Sequence, residues 1–258
     1  YFAGNPTDNW FQFGTNSSGQ PLYWRIVRIN GDGSIRLIYN GTSTNQTGDS
    51  TMINTSQAFN SSYRNNMYVG YMYQSGQPHG LTTNSSIKTT LDSWYLSNLA
   101  DEAEYLDGNA GFCGDRTPYS GSGTGTSSTY YAALYRLVNN NNPSLQCDSQ
   151  DVYTTTDSST GNKSLTYPIG LLTADEYSLA GESGSYLDVG IDYWTMSPSH
   201  FGNGTAYVFI VRNDGILYNG YAVTFTYQGV RPVINLRADV QLTGSGTTSD
   251  PFKVVGAS

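Results

Sequence analysis

Charge is what this chain has least of. Only 12% of its 258 residues are Asp, Glu, Lys or Arg, about half the roughly 25% of an ordinary globular protein. Its 12 basic residues are outnumbered by 20 acidic ones, for a formal net charge of -8. Nucleic-acid binding needs a basic footprint, and so does anchoring on anionic lipid, so the composition speaks against both. No apolar run reaches 18 residues, which leaves no segment to span a bilayer as a helix. Neither an initiator Met nor a signal peptide precedes Tyr1, so the chain reads as a processed or trimmed piece, any secretion signal or anchor cut away.

Catalytic groups are scarce as well. His79 and His200 are the only histidines. There is no G-x-S-x-G, H-E-x-x-H, G-x-G-x-x-G or Walker pattern. A triad needs three converging side chains, and a histidine without context does not supply one. Twenty carboxylates always offer some pair for glycoside hydrolysis, but no spacing singles one out. Cysteine is limited to Cys113 and Cys147, with no C-x-x-C pair. In a chain this rich in Ser, Thr and Asn we read them as one disulfide, the alternative being two buried thiols that simply pack. Closing residues 113–147 in this way is worth about 3–4 kcal/mol by chain entropy.

What is abundant is tyrosine. Aromatics make up 14% of the chain, with 22 Tyr, so it can bury a core despite only 37% hydrophobic residues. The rest is Ser, Thr, Asn, Gly and Gln. Tyrosine gives large contact area at low entropy cost, and Ser, Gly and Asn give adaptable hydrogen bonds, which is the composition of binding surfaces. Eight N-x-[ST] sequons occur, at Asn16, Asn40, Asn45, Asn54, Asn60, Asn84, Asn162 and Asn203. Several arise by chance in such a composition, and they matter only in a source that glycosylates.

No stretch reads as a linker, so we expect one domain over 1–258, with 239–258 as a small C-terminal hairpin appendage. The segment Leu22–Ile29 alternates apolar and polar residues, Asn30-Gly31-Asp32-Gly33 turns, and Ser34–Tyr39 returns as a second strand. Residues 40–84 carry little periodicity. Ile87, Leu91, Tyr95 and Leu99 predict an amphipathic helix with Ser85 or Ser86 as its cap. The acidic group Asp101, Glu102, Glu104 and Asp107 follows it. Such a group is ordinarily a solvated surface; with backbone carbonyls it could also hold calcium, the one ion the reading leaves open. Gly121–Ser128 is a loop tract, and Tyr130–Val138 suits helix or strand. Thr173 and Glu176 form a capping box before a short helix ending near Gly181. The last third is strand-rich, with Ala206–Val211 alternating and Pro232 marking an edge or bulge. The fold class expected is α+β.

That last third also holds the best candidate surface: Trp194, His200, Phe201, Tyr207, Tyr218, Tyr221, Phe225 and Tyr227 among Ser, Asn, Gly and Thr. Flat rings stack on sugar faces or anchor a protein, and polar neighbours set orientation. About half of these rings must be core, since alternation sends Tyr207 and Phe209 one way and Val208 and Ile210 the other. The expected loops, Ser199–Asn203 and Asn219–Tyr227, are the better candidates for exposure. The ligand-binding set is therefore Trp194, Ser199, His200, Phe201, Asn203, Tyr218, Tyr221, Phe225 and Tyr227.

Two stretches together carry a family resemblance: Tyr23–Gly33 near the start, and Tyr193–Pro198 with Gly229–Leu236 near the end. They resemble the opening and closing modules of secreted or surface proteins abundant in gut bacteria, a family similar to the C-type-lectin-like fold in its formylglycine-generating-enzyme-like branch. The resemblance implies a small twisted antiparallel sheet, paired N- and C-terminal strands, two helices and long irregular loops that carry the binding surface. It implies an extracellular or cell-surface recognition domain, adhesin-like, for host or bacterial glycans or proteins. Some members resemble pilin-type proteins with an N-terminal membrane helix, so a pilus or surface-layer subunit, polymerising through an anchor outside this segment, is the alternative. An enzyme of formylglycine-generating type, or a hydrolase, is a further one. The branch's active cysteines lie late in the fold, whereas Cys113 and Cys147 precede the closing module and do not carry over.

Overall fold

The computed structural model describes residues 1–156 and 161–257. Fifteen strands and a few short helices make up a mixed α+β architecture that is mostly sheet. In chain order the first strands are β1 (Trp10–Thr15), β2 (Pro21–Ile29), β3 (Ile35–Tyr39), β4 (Met72–Tyr73) and β5 (Thr83–Asn84). Then come β6 (Phe112–Cys113), β7 (Pro118–Ser120), β8 (Thr129–Tyr131) and β9 (Val152–Tyr153). The last are β10 (Tyr193–Gly202), β11 (Thr205–Val211), β12 (Leu217–Ala222), β13 (Val233–Leu236), β14 (Leu242–Thr243) and β15 (Phe252–Val254). The helices are α1 (Ser86–Asn98), α2 (Ala132–Leu134) and α3 (Ala174–Leu179).

One sheet has six strands in the order β13-β3-β2-β1-β15-β14, and a second has five in the order β12-β11-β10-β8-β7. The hairpin at its centre follows the alternation of β2 and the turn after it. Asp32 accepts from the backbone N–H and the hydroxyl of Ser34, and Gly33 takes the left-handed φ of +89° that the turn requires. All five residues of β3 are buried, because the strand is paired on both sides. The C-terminal hairpin is not peripheral to this sheet: β15 pairs in parallel with β1, Phe11 facing Phe252. That parallel pair makes the sheet mixed rather than purely antiparallel.

Helix α1 is capped by Ser85, whose side chain accepts from the Lys88 N–H. Its Ile87, Leu91, Tyr95 and Leu99 are all buried, each contributing about 1.5–3 kcal/mol of transfer free energy. Trp94 meets Trp24 and Tyr39 edge-on at 6.2 and 5.5 Å, which docks the helix on the six-stranded sheet. A single large core takes residues from both sheets, from Phe11 and Trp24 to Trp194 and Ile210. On the other side of the five-stranded sheet Phe209 packs with Ala133, Leu134 and Ala174 in a satellite cluster. The segment Tyr130–Val138 divides as neither pure helix nor pure strand: β8, then α2, then a π-helical turn over Tyr135–Asn139.

Cys113 and Cys147 form a disulfide, Cα atoms 5.9 Å apart. Both expected partners of the capping box at α3 are present: Thr173 Oγ1 accepts from the Glu176 N–H, and the Glu176 carboxylate accepts from the Thr173 N–H. The tract Gly121–Ser128 is held from one side by Asn66, whose amide donates to the carbonyls of Thr124, Gly125 and Ser127.

Candidate functional site

One edge of the five-stranded sheet is β12, and it is not straight. Tyr221 faces Val208 and Tyr218 faces Ile210, so β12 carries one residue more than β11 between those pairs. A second bulge lies in β10, where Pro198 faces Val208 and His200 faces Tyr207. Bulges bend a strand and re-aim its side chains. Here Ser199, in the bulge of β10, donates its hydroxyl to the carbonyl of Asn219, in the bulge of β12, at 2.7 Å.

Around that bent edge the rings gather. Tyr221 is half-buried against the main core and meets Tyr218 at 5.4 Å and Phe225 at 5.5 Å, both edge-to-face. Tyr218 and Phe225 are 39% and 46% exposed and Tyr227 is 81% exposed. Ile216 is exposed beside them. The Arg212 guanidinium lies 5.6 Å from the centre of the Tyr218 ring. A Cβ at Gly220 would come within 2.7 Å of the Tyr218 hydroxyl, so only glycine lets that ring fold back over the strand.

A second aromatic row crosses the same sheet. Tyr130, His200 and Tyr207 are cross-strand neighbours, with ring centres 5.9 and 4.3 Å apart and planes within 15° and 13°. Rings stacked in this way stand side by side and turn their edges outward. They brace the sheet and offer hydrogen-bonding tips, not a flat platform. His200 Nδ1 is 2.8 Å from Ser199 Oγ. The single hydroxyl proton of Ser199 is committed to the Asn219 carbonyl, so the imidazole must donate from Nδ1 and keep Nε2 as an acceptor. Burial lowers the His200 pKa, which favours this neutral form.

The Ser199 hydroxyl thus links the His200 ring to the Asn219 carbonyl across the two bulges. His79 instead meets Asp151 at 3.0 Å, and Asp151 is held by Arg116 at 2.9 Å in a buried structural pair. Neither cysteine is a thiol. Among the described residues no three His, Cys, Asp or Glu side chains converge as a metal-binding group. Of the acidic set, Asp107 spends one oxygen on the N–H groups of Asn109 and Ala110.

The structure divides the expected ligand-binding residues. Tyr218, Tyr221 and Phe225 come together at the sheet edge, Tyr227 is exposed two residues further along the chain, and His200 stands in the neighbouring row. Three others do not face solvent. Trp194 is buried, with its indole N–H donated to the Gln57 carbonyl and its ring against Phe59 at 5.7 Å. Ser199 and Phe201 are buried as well. The reason is that Ser199–Gly202 is not a loop. It is the end of β10, an interior strand paired with β8 and β11. Only Asn203 lies in the turn, exposed, at φ +52°. Ile216 and Tyr130 were missed; a terminal ring or aliphatic flanking a Gly turn is a weak signal. Sequons at Asn40 and Asn60 are buried.

In comparisons with known proteins, no family model, no curated protein and no solved structure matches this chain. Among the described residues no helix is long and apolar enough to cross a membrane.

Proposed function

We propose that the chain is a recognition domain, extracellular or displayed on a cell surface, that binds its ligand through the Ile216–Tyr227 edge. The observation that carries this is the exposure of Tyr218 and Phe225 around a Tyr221 anchored in the core, with Tyr227 exposed on the segment that follows. Rings pre-set by a buried neighbour lose little entropy on binding, and such anchors dominate recognition energetics. The residues between the rings are polar, Asn219, Thr224 and Thr226, with the Arg212–Asp214 ion pair beside Tyr218. That suits sugar rings, whose apolar faces stack while hydroxyls bond at the rim; a protein surface is the other ligand class of this reading. The disulfide is compatible with an oxidising location.

The lectin-like resemblance belongs to the same proposal. A pairing of the first and last strands, two short helices beyond one helical turn, and an irregular stretch between β3 and α1 support it. The parallel sense of the β1–β15 pair departs from it.

The test is a glycan and mucin array, with calcium and with chelator, run on the native chain and on Tyr218→Ala and Tyr227→Ala. Each substitution should weaken binding about tenfold or more, the loss typical of an interface anchor. Both should leave thermal unfolding unchanged. Binding that survives both substitutions places the ligand elsewhere.

A further inference from the structure

A cavity of about 190 Å³ lies beside the disulfide. Its walls are charged. Arg28 and Arg36 come from the six-stranded sheet, Asp175 and Glu176 from α3, and Asp115 and Arg136 from within the span closed by Cys113 and Cys147. Ser144–Cys147 forms a strap at its rim, tied by the disulfide at Cys147 and by the Ser144 N–H, which donates to Asp175 at 2.8 Å.

The charges balance in number but not in placement. Glu176 pairs with Arg28 at 2.8 Å, while Arg136 is forked on two carboxylates, Nε and Nη2 donating to Asp175 at 3.0 and 2.8 Å and Nη2 and Nη1 to Asp115 at 2.5 and 3.5 Å. In these pairs the guanidiniums keep 19% and 21% exposure, while the carboxylates keep only 2–8%. The carboxylates face into protein and the cations are what solvent meets. Arg28 spends Nε on Asn30 and Nη1 on Glu176, and among the described residues its Nη2 has no hydrogen-bond partner. In a chain of net charge -8, an inlet lined by accessible guanidinium is anomalous for a purely structural network. A guanidinium fork matches carboxylate and phosphate oxygens in particular. The volume is below the roughly 300–1,000 Å³ of drug-sized sites, which restricts the occupant to a small solute.

We infer that this cavity binds a small oxyanion, a carboxylate or phosphate group, held by the uncommitted Nη2 of Arg28 beneath the Ser144–Cys147 strap, with the carboxylate-paired Arg136 beside it. The inference is independent of the aromatic edge. Inorganic phosphate and acetate are the two probes, titrated separately into the full chain at ionic strength matched with chloride and followed by amide NMR.

The expected result is saturable one-to-one binding of at least one probe, with shifts confined to the strap and to residues around Arg28 and Arg136. Phosphate alone identifies a phosphate-bearing ligand, acetate alone a carboxylate, and both the shared chemistry. Leu145→Glu puts a negative charge on an exposed side chain of the strap. It should weaken binding about tenfold with thermal unfolding unchanged; Arg28→Gln should weaken binding likewise and also lower the unfolding temperature, because Arg28 pairs with the buried Glu176. Should Arg28→Gln fail to fold, Leu145→Glu decides alone. No saturable binding of either probe beyond chloride, or binding that Leu145→Glu leaves intact, overturns the site.

Discussion

Arg36 and Glu176 meet at two points, Nε to Oε1 at 2.5 Å and Nη2 to Oε2 at 3.1 Å, with both side chains almost wholly inaccessible. The pair joins a central strand of the six-stranded sheet to the first turn of α3. The same carboxylate closes the capping box and meets Arg28. Glu176→Gln keeps the cap chemistry but removes the charge, leaving a buried guanidinium uncompensated. Urea denaturation should show a loss of about 3–5 kcal/mol.

Acid should undo the same pair. Burial alone would raise the Glu176 pKa, but Arg36 and Arg28 outweigh it and hold it below the ordinary 4.5. A depressed carboxylate contributes its full stability above the ordinary value and loses it as pH falls through the lower, folded-state value. Stability profiles of the native chain and Glu176→Gln should therefore converge as pH falls below the ordinary 4.5 and through the lower folded-state value.

Asp115 has the opposite sign. Burial raises its pKa from 3.8 to about 6, against the pull of Arg136. The folded chain holds that proton where the unfolded chain has released it. Stability from this group therefore declines as pH rises from about 4 to 6, by on the order of 3 kcal/mol. Asp115→Asn suits the φ of +46° at that position and should flatten the profile over that window. Denaturation midpoints at unit pH steps would show it.

Reduction of the Cys113–Cys147 bond should lower stability by about 3–4 kcal/mol and lower the thermal midpoint. Calorimetry with and without reductant measures it, and intact mass with alkylation verifies the thiol state. Because the bond ties the strap, amide exchange at Ser144–Cys147 should rise more than at β10.

His200 should appear in nitrogen NMR as the Nδ1–H tautomer, protonating below its ordinary 6.5. The unfolded chain takes up this proton first, so the group's contribution to stability falls as pH drops below that value. Ser199→Ala removes the acceptor and should mix the tautomers.

The hairpin β2–β3, helix α1, the capping box and the disulfide were all legible, because each is written in local spacing: alternation about a Gly turn, apolar residues at i and i+4, Thr173 with Glu176, and two cysteines. Part of the aromatic edge was legible for the same reason, since Tyr218, Tyr221 and Phe225 are near in sequence and touch in space. Trp194, Ser199 and Phe201 were not. Their strand includes Pro198 and a run of small polar residues, which reads as a loop, and only pairing with β8 and β11 reveals it as interior. The bulges at Ser199 and Asn219 have no sequence signature at all, because they exist only in the register between strands. The charged cavity is equally silent: Arg28, Asp115, Arg136 and Asp175 are distant along the chain and meet only in the folded state.

The most direct test of the central claim is array binding by Tyr227→Ala beside the native chain, with thermal unfolding as the control for folding. The account predicts ligand binding by the native chain, a loss of about tenfold or more in the variant, and an unchanged melting curve. Equal binding by the two proteins would contradict it.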